Sequence, residues 1–196
     1  MMKWIGVFSS VTLLAIFLVA SSTARAQVVP GSVMVGADVG YNHTSISQFS
    51  TSETWNRYNV GAFGGYNVDQ WIGAFFEYNY LSILSQEGVT AHSNTYGGAA
   101  RFYLLPKSKI VPYGVFGGGG AQTTISESGE GSESFNGSYF GGGGGVAYYV
   151  TRNLGVAGDV RFNRYAFTAD STNVTPHVVT VDGGVFYQFG GTKKAK

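Results

Sequence analysis

The sequence predicts an all-β fold: an eight-stranded antiparallel up-and-down transmembrane β-barrel, with short turns at one end and long loops at the other. Three observations predict it. Apolar and polar residues alternate with period two in eight segments, the mark of strands with two chemically different faces. The connections between segments alternate long and short along the chain. The polar face of each segment carries glycine, alanine and a few balanced charges rather than a solvated mixture.

Composition narrows the alternatives first. Charged residues are 12% of the 196, against a usual ~25%. There are 30 glycines without a period of three, and aromatics reach 15%, so the chain is neither collagen-like nor disordered. A mean hydropathy of +0.05 does not suit a bundle of membrane helices. A formal charge of +1 does not suit a strongly basic nucleic-acid binder. The absence of cysteine removes disulfides, thiolate nucleophiles and Cys-held metals.

Residues 1–26 read as a cleaved signal peptide. Lys3 makes a short positive start, Trp4 to Ala20 is apolar apart from Ser9, Ser10 and Thr12, and Ala24-Arg25-Ala26 is a small-x-small cleavage pattern before Gln27. The expected domain map is the leader, a barrel over 27–189 and a basic tail over 190–196. Without Lys3 and Arg25 the chain carries 10 Lys/Arg against 11 Asp/Glu, a charge of −1.

The strands are expected near 31–43, 56–67, 70–83, 94–105, 110–123, 138–150, 153–167 and 177–189. In the first, Val33, Val35, Ala37, Val39 and Tyr41 oppose Gly36, Asp38, Gly40 and Asn42. In the third, Ile72, Ala74, Phe76, Tyr78 and Tyr80 oppose Gly73, Phe75, Glu77 and Asn79. The fourth sets Tyr96, Phe102 and Leu104 against Gly97, Ala99 and Arg101. The seventh sets Leu154, Val156, Val160 and Phe162 against Asp159, Arg161 and Asn163, and the eighth sets Val179, Val181, Val185, Tyr187 and Phe189 against Asp182, Gly184 and Gln188.

Short connections fall at 68–69, 106–109 and 151–152, and long ones near 44–55, 84–93, 124–137 and 168–176. Outer-membrane barrels show this asymmetry, with short periplasmic turns and longer extracellular loops. The long loops carry Glu53, Glu87, Glu127, Glu130, Glu133 and Asp170 without Lys or Arg. The short-turn side carries Lys107, Lys109, Arg152, Lys193, Lys194 and Lys196 against Asp69.

A soluble barrel of the lipocalin kind has an apolar interior, and a membrane barrel inverts that polarity. The strand-borne charges Asp38, Arg57, Glu77, Arg101, Asp159, Arg161 and Asp182, four acids and three bases, suit a narrow lumen filled by side chains. Glu77–Arg101 and Arg161–Asp182 are the expected pairs, since buried charges need partners. Aromatics are expected in two interfacial belts: Tyr66, Trp71, Tyr113, Tyr148, Tyr187 and Phe189 at the short-turn end, and Tyr41, Trp55, Tyr58, Tyr80, Phe140 and Tyr165 at the other.

On these residues the chain resembles the OmpA-like and OmpX-like group of eight-stranded outer-membrane β-barrels. The resemblance rests on the leader, Val111-Pro112-Tyr113-Gly114 opening a Gly-rich strand, Gly145-Val146-Ala147-Tyr148-Tyr149-Val150 before a tight turn, and the closing Val185-Phe186-Tyr187-Gln188-Phe189. It implies that Val185, Tyr187 and Phe189 form the assembly signal read by the outer-membrane assembly machinery. One departure is the continuation from Gly190 to Lys196, where the family usually stops at the terminal aromatic.

No catalytic, cofactor or metal site is expected. The runs Gly117–Gly120 and Gly141–Gly145 lack the Gly-Lys-Ser/Thr and helix of a phosphate loop. They are expected instead to pair across strands five and six as a thin-walled patch. His43 with Ser45, or His92 with Ser93, would be the candidates for a lipid A deacylase-like enzyme. The acidic 124–137 loop lacks the D-x-D-x-D-G spacing of a calcium loop. The expectation is a monomeric, non-enzymatic barrel in the cell outer membrane, contacting outer-membrane lipid and lipopolysaccharide, with its long loops as a contact surface. The alternatives are a small lipid-modifying enzyme and a soluble secreted barrel for an apolar ligand.

Overall fold

Every segment whose alternation reads as a strand is one, and seven of the eight run further toward the long-connection end than alternation alone predicts. The computed structural model describes residues 28–48, 51–86, 88–129, 131–169 and 172–191. The expected leader, Glu87, Glu130, Asp170 and the tail lysines lie outside them.

The strands are β1 (Ser32–Gln48), β2 (Thr51–Asn67), β3 (Ile72–Gln86), β4 (Val89–Tyr103), β5 (Ile110–Glu127), β6 (Gly131–Tyr149), β7 (Leu154–Ala169), β8 (Thr172–Val174) and β9 (His177–Gly190). All pairings are antiparallel, in the order β6-β5-β4-β3-β2-β1-β9-β7, and a β6–β7 pairing closes the ring into eight staves. The short β8 pairs only with β7. Thr175-Pro176 separates it from β9, where a proline cannot supply the ladder N–H. The carbonyl of Pro176 still accepts from the Tyr165 N–H at 2.9 Å, which holds the corner to the wall.

The long loops expected at 44–55, 84–93, 124–137 and 168–176 are instead mostly continuations of the strands. The β1–β2 ladder reaches Gln48↔Thr51, and the β5–β6 ladder reaches Glu127↔Gly131. Beyond the apolar band both faces of a strand meet water, so alternation fades while the backbone ladder continues. Gly88 and Gly129, with φ of 86° and 97°, make two of the sharp reversals in a region L side chains rarely adopt.

The assigned faces hold in all five strands for which they were read. Phe162, Val39, Phe76 and Phe116 point outward and expose 64%, 62%, 61% and 61% of their surface, while Glu77 and Arg101 are buried inside. So large an apolar exterior is foreign to soluble monomers and is what lipid requires.

The two glycine runs are offset rather than face to face. They meet only at Gly117↔Gly141, because the hairpin reverses around Gly129. Gly118 and Gly119 lie instead beside Gly98 and Gly97 of β4 on their other side.

Candidate functional site

The inward faces stack into layers along the barrel axis. At the short-turn end Asn67 is fully buried and acts as a polar hub. Its Nδ2 donates to Ser32 Oγ at 2.9 Å and Gln188 Oε1 at 3.1 Å, and its Oδ1 accepts from Tyr103 Oη at 3.0 Å. Val28, also buried, donates its N–H to Pro106 O at 2.9 Å and so tucks the chain under this end.

Above the hub lies a set of rings, of which the alternation had placed only Phe75 on the inner face. Phe63 and Phe75 meet edge-on at 6.0 Å and 76°, and Tyr149 meets Phe186 at 5.0 Å and 79°. The guanidinium of Arg101 sits 4.4 Å from the centroid of Phe63, 4.5 Å from Phe75 and 5.3 Å from Tyr113. Such contacts help hold a cation removed from water. The lumen is therefore charges and glycines plus rings, and the glycines make room for the rings: a Cβ on Gly65 would fall on Phe75, and one on Gly36 on Phe63.

The charge layer comes next. Arg101 donates from Nη2 to Glu77 Oε1 at 3.3 Å, one of the two expected pairs. The other, Arg161–Asp182, does not form. In the β7–β9 register Asp159 lies opposite Asp182 and Arg161 opposite Thr180. Arg161 instead donates from Nε to Asp159 Oδ1 at 2.8 Å, and from Nη1 and Nη2 to the two oxygens of Glu77. Asp159 also accepts from Tyr113 Oη at 2.8 Å. Asp182 accepts from Asn59 Nδ2, which reaches it past Gly40, the residue paired with both. A Cβ on Gly40 would overlap the Asp182 carboxylate.

Asp38, Asn59, Glu77, Arg161 and Asp182 surround a polar cavity of about 30 Å³, room for one or two waters. Arg57 faces inward but stands above this layer, donating to Ser85 O at 2.8 Å. Six of the seven expected lumen charges thus gather in one region, and Arg57 does not join them.

Three members of the expected aromatic belts are inside. Tyr113 and Tyr165 are buried, and Trp55 shares the inward alternation of Arg57 and Asn59 and is half-buried. Position along a strand fixes the height of a ring, but parity fixes its face, and parity puts these three in the lumen. Tyr66, Trp71, Tyr187 and Phe189 at one end, and Tyr41, Tyr58 and Phe140 at the other, are outward and exposed.

Neither His43 nor His92 hydrogen-bonds its expected serine. His92 is on the outer face, stacked on Tyr80 at 5.4 Å, whereas Ser93 is buried inside and accepts from Thr123 Oγ1 at 3.1 Å. His43 Nδ1 lies 2.6 Å from Asn56 Oδ1 on the exterior.

A family model described as "Outer membrane protein beta-barrel domain" matches residues 11–189. The chain belongs to this family. Membership places it in the outer membrane of a Gram-negative cell. No curated protein matches the chain. Among solved structures, Neisserial surface protein A is similar with a TM-score of 0.66 at 18% identity, covering 81% of this chain and 99% of that one. The N-terminal β-barrel domain of Pseudomonas aeruginosa OprF gives 0.57 at 16% identity, covering 83% and 100%. Ail, the attachment invasion locus protein of Yersinia pestis, gives 0.50 at 16% identity, covering 82% and 99%. These likenesses concern the barrel fold of this outer-membrane family.

Proposed function

We propose that this outer-membrane barrel is a monomeric, non-enzymatic protein with a structural and surface-interaction role exercised by its extended hairpins. The observation that carries the reading is their shape and chemistry. The β5–β6 hairpin continues beyond the outward ring of Tyr96 and Phe140, with β4 paired to β5 as far as Val89↔Glu127, and exposes Glu127 and Glu133. Thr124 and Ser134 hydroxyls join across it at 2.9 Å. The positions of these acids contrast with exposed Lys107 and Arg152 at the short turns. Two of the similar structures are, by their names, a surface protein and an attachment protein. The wall between the tyrosine rings faces lipid, and lipopolysaccharide is the proposed neighbour in the outer leaflet. Val185, Tyr187 and Phe189, all outward and exposed, are the proposed assembly signal.

The cysteine-free chain allows a direct test. Single variants Glu127→Cys, Glu133→Cys, Lys107→Cys and Arg152→Cys are labelled in intact cells with a membrane-impermeant maleimide, alongside membrane fractionation. The first two are expected to label and the last two only after the outer membrane is opened. The reverse pattern, or a soluble fraction, would overturn the orientation. Substituting His43, His92 and His177 together is expected to leave the lipid A mass spectrum unchanged; an altered spectrum would overturn the non-enzymatic reading.

A further inference from the structure

The charge layer of the lumen does not balance. It holds four carboxylates, Asp38, Glu77, Asp159 and Asp182, against the guanidinium groups of Arg101 and Arg161, which leaves two negative charges over. Among the described residues, Arg57 stands above the layer, donating to Ser85 O, and Lys109 belongs to the short turn before β5. Both arginines of the layer are already engaged. Arg101 pairs with Glu77, and the ion pairs of Arg161 go to Glu77 and Asp159. The carboxylates without a cation are therefore Asp38 and Asp182.

The oxygens around them also lack partners. Asp38 Oδ1 is buried and accepts no hydrogen bond. Asn59 is 2% exposed and gives its Nδ2 to Asp182, which leaves its Oδ1 buried without a donor. Glycines let these groups approach across four successive staves. Gly40 is paired with both Asp182 on β9 and Asn59 on β2, and Gly61 with both Asp38 on β1 and Asn79 on β3. A Cβ on Gly61 would fall on Asp38 Oδ1 and Asn79 Oδ1 together, so the two oxygens converge over it. Asp38, Asn59, Asn79 and Asp182 all line the polar cavity of about 30 Å³.

A water there supplies hydrogens to the orphan oxygens but leaves both charges standing, and uncompensated charge removed from water is costly. A divalent cation answers both needs. Two carboxylates and two amide oxygens are a hard donor set. Calcium accepts irregular sets of oxygen ligands, whereas magnesium demands a near-ideal octahedron and keeps several waters, for which this cavity has little room. We propose that the cavity holds one calcium ion, bound by Asp38, Asp182, Asn59 and Asn79.

This site departs from the expectation of no metal, goes beyond the surface role, and stands or falls separately from it. Leu81 and Tyr165 lie between the cavity and the apolar space toward the long hairpins, so the ion is expected to load as the barrel folds. The barrel is refolded from urea into detergent free of lipopolysaccharide, with or without Ca²⁺, then passed through chelator, and its calcium is counted by mass spectrometry. One retained ion per barrel and a raised urea midpoint are expected. Asp38→Asn and Asp182→Asn are each expected to weaken binding on the order of tenfold or more, the weight of one charged contact. Without calcium, Asp38→Asn is expected to raise the midpoint above wild type, because it removes an unpaired charge; with saturating calcium the order reverses. A merely structural role for Asp38 produces no such crossover. Glu127→Gln with Glu133→Gln, on the exposed hairpin, is expected to keep the ion. A barrel that retains no calcium and shows no shift would overturn the proposal and assign the two charges to bound protons. Calcium that survives both aspartate changes but is lost with the two glutamates would place it on the hairpin and overturn the lumen site. Equal shifts with Mg²⁺ or Na⁺ would overturn the choice of calcium. The crossover needs only Asp38→Asn and decides the matter even if Asp182→Asn does not fold.

Discussion

Glu77 on β3 and Arg161 on β7 stand on diametrically opposite staves, and their ion pair crosses the lumen of the barrel. Glu77 also holds Arg101 from the neighbouring strand, and Arg161 also holds Asp159. One carboxylate therefore ties two arginines, and the pair ties two halves of the wall. A closed barrel of eight strands has room inside only for side chains, and here they meet in the middle.

Removing that carboxylate leaves two guanidinium groups short of a partner in a confined space. Glu77→Gln is expected to lower stability by about 3 kcal/mol, the usual cost of breaking a buried pair from one side. The urea midpoint of the refolded barrel measures it. Adding Arg161→Gln is expected to cost less than the sum of the single changes, since the two share one interaction. Strict additivity would show that the pair contributes no coupling.

Neighbouring glycines on β2 are expected to behave differently. A Cβ on Gly65 lands on the Phe75 ring and the Ala74 carbonyl, whereas on Gly64 its nearest contact is Val35 Cγ1 at 3.9 Å. Gly65→Ala is expected to cost about 1–3 kcal/mol through overpacking, and Gly64→Ala well under that. The same denaturant series decides it, and equal costs would show that the inward glycines are not spacers for rings.

Phe189 is outward, 43% exposed and stacked on Tyr187 at 6.2 Å. Phe189→Ala is expected to reduce the amount of folded protein in the outer membrane several-fold while leaving refolding in detergent nearly unchanged. Equal loss in both assays would assign this residue to stability rather than to recognition by the assembly machinery.

Gly117–Gly120 carry no side chains of their own, and Gly118 and Gly119 pair with Gly98 and Gly97 of β4, while β6 sets Gly141, Phe140, Tyr139 and Ser138 opposite the run. Their amides are expected to exchange faster than those of Val156–Phe162 on β7, where valines and Phe162 flank the ladder. Hydrogen exchange in micelles reads this directly, and equal protection would contradict it.

The inward place of Asp38, Glu77, Arg101, Asp159, Arg161 and Asp182 was legible in the sequence because period two is a local property: each residue's face follows from its neighbours. The same parity places Trp55, Tyr113 and Tyr165 in the lumen, although their positions near strand ends alone suggest interfacial belts. Eight staves were legible too, since six of them begin or end at a short turn and the first and last show the same alternation. The extent of the hairpins was not, because beyond the lipid both faces are polar and the ladder leaves no alternating trace.

By itself, the sequence determined a barrel with an apolar outside and a charged, glycine-lined inside. Only the tertiary structure decided which charges meet. Register puts Asp182 opposite Asp159 rather than Arg161, and closure of the ring brings Glu77, 84 residues away in the chain, to Arg161 across the lumen. The same closure pairs the first strand with the last and so brings Asp38 and Asp182 to one polar cavity. Faces are a matter of neighbours along one strand; partners depend on stagger and curvature summed over all eight.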